Sequence, residues 1–119
     1  MTPLRAGERI AVRGEDGEIL FFEPDQIFYL ESSGHDTRIR TARRTAYRST
    51  QRISQLAAQL PTPPFFRCHE RYIIHLGRIR SLRRRGKNNY ELRLDPPVNK
   101  LIPLSRHRVA EFRKLMGVP

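Results

Sequence analysis

A cysteine beside a histidine can carry nucleophilic chemistry, and this chain holds one such pair, Cys68-His69. The nucleophile also needs its base aligned in space and a third group to orient that base, which adjacency in sequence does not supply. Four histidines, His35, His69, His75 and His107, are the candidate metal ligands. None falls in a CxxC, HxxxH or HExxH spacing, so no zinc site is expected. His75 follows Ile73-Ile74 and reads as a hydrogen-bonded structural histidine. Carboxylates are sparse in the basic part of the chain, which leaves two-metal nuclease chemistry without ligands, and there is no glycine-rich phosphate loop. The expectation is therefore no enzyme, no metal and no cofactor, with Cys68 a small core or boundary residue.

What remains is arginine. Of 23 basic residues 20 are Arg, a side chain suited to bidentate contacts with phosphate or guanine. Their distribution is uneven. Residues 1–31 hold three basic and seven acidic residues, a net of −4, while residues 32–119 hold 20 basic and five acidic ones, a net of +15. A pI of about 11.1 with such localisation points to a polyanion partner, nucleic acid first. An anionic membrane surface fits less well, because neither expected helix has a long aromatic-apolar face.

The basic residues cluster where loops are expected: Ser32 to Arg38, Arg67 to Arg71, Arg83 to Asn88, and Ser105 to Arg108. A β scaffold can present several such loops on one side. Side chains reaching base edges would then read sequence, while contacts to phosphate fix the register. Arg83, Arg84, Arg85 and Lys87 form a four-charge turn that repels itself unless an anion is near, and read as a phosphate clamp. Arg44, Arg67, His69, Arg71, Ser105 and His107 complete the candidate phosphate set.

The elements that must hold these loops are short. Glu8 to Arg13 and Glu18 to Phe22 read as a hairpin across Glu15-Asp16-Gly17. Ile27 to Glu31 reads as a buried strand, Ser32 to Asp36 as a polar loop, and Thr37 to Thr41 as an alternating strand with Ile39 opposite Arg38 and Arg40. Thr45 to Arg48 reads as a further strand with Tyr47 inward. Ile53, Leu56, Ala57 and Leu60 predict a helix over about 50–60, capped by Ser49 or Thr50 and stopped by Pro61. In Phe65 to Ile79 an aromatic pair, a polar cluster and the run Tyr72-Ile73-Ile74 predict strand, exposed turn, strand. Ile79 to Arg85, Tyr90 to Leu94 and Leu101 to Leu104 read as three more strands. A second helix is expected over about 106–116, capped by Ser105, with Val109, Phe112, Leu115 and Met116 as its apolar stripe and Gly117 as its stop. The fold class is mostly β, in short antiparallel sheets with two short helices, and one domain over residues 1–119 with a core of about 8–117. A lone cysteine, no signal-peptide core and no run of ~20 apolar residues fit a soluble cytoplasmic protein without a membrane partner.

Several of these stretches together resemble the LytTR DNA-binding family over about residues 8 to 117. They are Ile27 to Ser33, Ile53 to Leu60, Phe66-Arg67-Cys68-His69, Tyr72-Ile73-Ile74 with Ile79, Tyr90-Glu91-Leu92, and Ile102-Pro103-Leu104-Ser105-Arg106. The resemblance implies bacterial transcription regulators whose loops, rather than a recognition helix, enter successive major grooves. Carried across by position, it places Thr37 (beside Arg38), Glu70 and Arg106 against bases. Glu70 departs from the basic or amide residue common there: it would either accept from the amino group of cytosine or pair with Arg71. Arg71 stands where a serine is common and His75 where an asparagine is common. The resemblance also implies double-stranded DNA with repeated sites, a homodimer on DNA, and a sensor or receiver domain or protein upstream. The rival expectation is an RNA-binding or ribosome-associated basic module. It needs exposed aromatics for stacking, whereas most of the ten Phe and Tyr fall on apolar faces. A module that binds an acidic protein is a third reading, and it predicts no preference among DNA sequences.

Overall fold

Apolar side chains alternate between two cores, one on each face of a five-stranded antiparallel sheet. A computed structural model of the chain describes residues 9–118. Its strands are β1 (Ile10–Arg13), β2 (Ile19–Phe22), β3 (Tyr29–Ser33), β4 (Asp36–Arg40), β5 (Tyr47–Ser49), β6 (Phe65–His69), β7 (Tyr72–His75), β8 (Ile79–Arg84), β9 (Tyr90–Leu94) and β10 (Leu101–Leu104). Its helices are α1 (Ile53–Gln59) and α2 (Val109–Met116). The central sheet has the order β5-β4-β3-β7-β6, flanked by the hairpin β1-β2 and the three-stranded sheet β10-β9-β8. This is the expected class of short antiparallel sheets with two short helices. Glu8, expected to begin the first strand, lies outside the described residues.

The period of a strand explains the layering, because neighbouring residues point to opposite faces. Leu30, Ile39, Phe65 and Ile73 pack on one side with β1, β2 and α1 residues such as Val12, Phe22 and Leu56. Tyr29, Phe66, Cys68 and Ile74 pack on the other with Leu92, Leu94, Ile102, Leu104 and Phe112. A strand covered on both faces needs consecutive apolar residues, which accounts for Phe65-Phe66 and Ile73-Ile74. Each fully buried Phe or Ile contributes roughly 1.5–3 kcal/mol of transfer free energy, so these pairs fix the register of β6 against β7.

Four local expectations need correction. The segment Ser32 to Asp36 is not a loop: Ser33 pairs with Asp36, leaving only Gly34-His35 as the turn. Gly34 has φ +63 and His35 does not share the left-handed region, the pattern of a type II′ hairpin, whose twist matches the flanking strands. The first helix is not capped by Ser49 or Thr50. Ser49 is buried in β5, its Oγ accepts from Gln51 N at 3.1 Å, and the N-cap position is Arg52, whose N–H donates to Gln55 Oε1 at 2.9 Å. The second helix begins with a 3-10 turn over Arg106–Arg108 and becomes α-helical at Val109, and no hydrogen bond from the Ser105 side chain caps it. Of its apolar stripe Phe112 is buried, while Leu115 and Met116 stay exposed. Gly117 ends the helix in the left-handed conformation, as expected.

Candidate nucleic-acid interface

One cross-strand row lies at the end of the central sheet that carries the two hairpin turns. The register aligns Arg48 with Arg38, Arg38 with Glu31, Glu31 with Tyr72, and Tyr72 with His69. Residues aligned across antiparallel strands point to the same face. The row therefore crosses all five strands, roughly 19 Å at about 4.8 Å per step. Its middle is rigid: Tyr72 Oη donates to Glu31 Oε2 at 2.9 Å. Burial, with that bond and the charge of Glu31, pushes the Tyr72 hydroxyl up to about 12. At one end of the row Arg48 pairs with Asp36 at 3.8 Å. At the other the His69 ring packs edge-on to Tyr72 with centroids 5.9 Å apart.

Three further segments join this row. Ser32 N donates to Arg71 O at 2.9 Å, and Arg71 Nη2 donates to Ser32 O at 3.4 Å, which ties the β6–β7 turn to the end of β3. Within that turn Arg71 N donates to His69 Nδ1 at 3.1 Å, which leaves Nε2 as the donor of a neutral His69. Arg67 Nη2 donates to Glu70 O at 2.7 Å, clamping the same turn from below. Ser105 N donates to Cys68 O at 2.8 Å and brings the Ser105–His107 segment alongside. A groove of about 510 Å³ lies between His69, Arg85, Asn88, Asn89, Ser105 and Arg106. Arg67, Glu70, Ser105, His107 and Arg108 line a neighbouring depression.

Of the residues expected to contact DNA, the fold thus gathers Arg38, Arg67, His69, Glu70, Arg71, Arg85, Ser105, Arg106 and His107 on one end, with Lys87 exposed in the adjoining β8–β9 turn. Thr37 differs. It is fully buried, faces the same side as Ile39, and its Oγ1 donates to Gln51 O at 2.7 Å, so its hydroxyl is already committed inside the protein. Arg44 also stands apart, because β4 runs away from the Gly34-His35 turn and delivers residues 41–46 to the opposite end of the sheet. The clamp of Arg83 to Lys87 carries its own anion. Glu91 Oε1 lies 3.7 Å from Arg83 and 3.3 Å from Arg85, and Arg84 folds back to donate to Gly86 O and Lys87 O. Arg48 and Arg108 escaped the sequence reading. Arg48 is reachable by aligning Thr45 to Arg48 against Thr37 to Thr41, while Arg108 lay at the end of the expected Ser105 to Arg108 loop but was not singled out as a contact.

Chemistry other than binding finds little support here. Cys68 is fully buried, and burial pushes its thiol up to about 12, the state of an inert structural cysteine. Among the described residues no three His, Cys, Asp or Glu side chains are grouped to hold a metal ion. His75 is buried as expected. Its Nδ1 accepts from Gly77 N at 2.9 Å, and its Nε2 lies 3.4 Å from Asp25 Oδ1 without hydrogen-bond geometry. No described helix is long and apolar enough to cross a membrane.

Comparison with known proteins agrees with this picture. The profile of the LytTr DNA-binding domain matches residues 17–117. The Escherichia coli K12 transcriptional regulatory protein YpdB is 34% identical over 102 residues, which are 86% of this chain and 41% of that protein. The CO-responsive transcriptional regulator RcoM of Rhodospirillum rubrum is 29% identical over 98 residues, 82% of this chain and 41% of that protein. The chain therefore spans about two fifths of the length of these relatives. A LytTr DNA-binding domain from Bacillus cereus has the same fold, with a TM-score of 0.74 at 20% identity over 92% of this chain and 97% of its own. With a profile match across most of its length, matching sheets and helices, and a basic rim of loops, this chain belongs to the LytTr DNA-binding domain family, whose members act in transcriptional regulation.

Proposed function

We propose that this chain is a single domain, over residues 1–119, that binds double-stranded DNA sequence-specifically and so regulates transcription in the cytoplasm. Arg106 and Arg38 meet base edges, together with the turn that carries Glu70. Arg67, His69, Arg71, Arg85, Lys87, Ser105 and His107 hold phosphates, and Arg83 and Arg84 join them when their internal partners give way. The observation that carries this reading is the convergence of three separate segments, His69–Arg71, Arg85–Asn89 and Ser105–His107, on one end of the central sheet. A major groove about 12 Å wide admits a two-stranded ribbon such as the β6–β7 turn.

Two copies would occupy paired repeats. Because the chain matches 41% of its curated relatives, a sensor or receiver unit, in the same protein or a partner, would supply the signal. The RNA reading loses ground for two reasons. The major groove of A-form RNA is too deep and narrow for side chains to read, and of the aromatics Phe65, Phe66, Phe112, Phe28, Tyr29 and Phe22 are buried. Selection of bound duplexes from a random pool is the test. Enrichment of one motif, with duplex outcompeting single-stranded RNA at equal salt, is the expected result. No enrichment, or equal competition by RNA, would overturn the proposal.

A further inference from the structure

Most charged side chains on the rim are positive, and of its carboxylates Glu31, Asp36 and Glu91 each have a partner within the protein, whereas Glu70 has no ion-pair partner. It sits at the tip of the β6–β7 turn between His69 and Arg71, fully within the surface offered to a polyanion. Its carboxylate is exposed and has no basic group within 4.0 Å among the described residues, although Arg67, Arg71, His107 and Arg108 are neighbours in the same region. Three of these neighbours are engaged with other groups. Arg67 donates to the backbone carbonyl of Glu70, not to its carboxylate. Arg71 donates to Ser32 O, and Arg108 pairs with Glu111 at 3.9 Å. Pairing of Glu70 with Arg71, one of the two roles open to it, is therefore absent in the free protein. An unpaired carboxylate placed against phosphates is repelled by them, and the attraction of the surrounding arginines is the only offset unless DNA itself supplies a donor.

We infer that Glu70 is a specificity filter that selects cytosine in the major groove and penalises every site lacking it. Donors there are few. Cytosine offers its N4 amino group, and adenine offers N6. On adenine the N7 acceptor lies beside N6 and repels a carboxylate, while cytosine has no acceptor next to its amino group on that edge. A carboxylate thus favours cytosine, whereas an amide, which has donor and acceptor side by side, matches adenine N6 and N7. The same negative charge lowers affinity for all other duplexes, so Glu70 trades general attraction for discrimination. This inference rests on the proposed duplex binding.

Random-pool selection is run on the parent, Glu70→Gln and Glu70→Ala, together with binding to poly(dA)·poly(dT), which contains no cytosine. The parent is expected to fix cytosine at one position, with a loss of about tenfold for other bases. Glu70→Gln should move that position toward adenine, and Glu70→Ala should leave it undetermined. On poly(dA)·poly(dT) Glu70→Ala should bind roughly fivefold more tightly than the parent, since repulsion is all that the carboxylate contributes there. If both variants select the parent's base with the parent's strength, the inference is overturned while duplex reading stands. If the parent enriches no motif, the proposed function fails as well.

Discussion

Truncating Arg106 separates binding from folding cleanly. The side chain is exposed, and among the described residues it makes no hydrogen bond or ion pair within the protein. Arg106→Ala therefore removes no internal contact, and stability should stay within about 0.5 kcal/mol of the parent. All of its effect should appear in complex formation. A bidentate arginine–guanine contact contributes about 1–3 kcal/mol of discrimination, equivalent to roughly 5- to 150-fold in affinity for the selected duplex. Random duplex, held through phosphates, should lose far less. Fluorescence anisotropy with both duplexes at one fixed salt concentration measures the two losses, and thermal unfolding checks that the fold is intact. If Arg106→Ala binds selected and random duplexes as the parent does, Arg106 reads no base. A loss equal on both duplexes would instead move it to the phosphate set.

Three other perturbations test neighbouring parts of the account. Thr37→Val keeps volume but deletes the bond to Gln51 O; it should lower stability by about 1 kcal/mol in denaturant unfolding and leave the selected motif unchanged. Glu91→Gln releases Arg83 and Arg85 from their internal anion, so random-duplex binding should tighten and the slope of log affinity against log salt should steepen by about 1, which a salt titration reads directly. His75 has its pKa lowered, first by burial and then by Arg78, with Asp25 opposing. The folded protein thus resists protonation that the unfolded chain accepts: the stabilisation is complete above the unfolded value of about 6.5 and is lost as pH falls from there toward the folded value. Melting temperature should drop across that window, and His75→Gln should flatten the drop.

The strands were legible wherever both periods and burial agreed. Phe65-Phe66 and Ile73-Ile74 announce a strand, and Tyr90, Leu92 and Leu94 announce an inner face, because removal of apolar area from water is strong and local in its pattern. Turn chemistry was harder to read. Ser32, Ser33 and Asp36 are turn-forming residues by type, yet the β3–β4 ladder recruits them and leaves only Gly34-His35 outside it. The same extension puts Thr37 on the inner face with Ile39, and no rule of alternation counted from Arg38 alone says that its hydroxyl has an internal acceptor. In α2 the stripe Val109, Phe112, Leu115, Met116 fits a helix face, but only the first turn and a half reaches the sheet, so Leu115 and Met116 remain outside. The site was visible as charge and loop position. Its grouping depended on contacts far apart in sequence, such as Ser32 with Arg71 and Cys68 with Ser105, which a one-dimensional pattern does not encode. Arg44 illustrates the limit: its charge matched the set, but strand direction carries it to the other end of the sheet.

The central claim is that one end of the five-stranded sheet is the face that meets DNA. Amide NMR shifts recorded while a selected duplex is titrated into the protein test it most directly. The account predicts changes concentrated at residues 34–38, 67–71, 85–89 and 105–108, with residues 41–46 and the outer face of the β1–β2 hairpin left unmoved. Shifts concentrated at Arg43, Arg44 and the β1–β2 hairpin, with the β6–β7 turn and Arg106 unchanged, would contradict it.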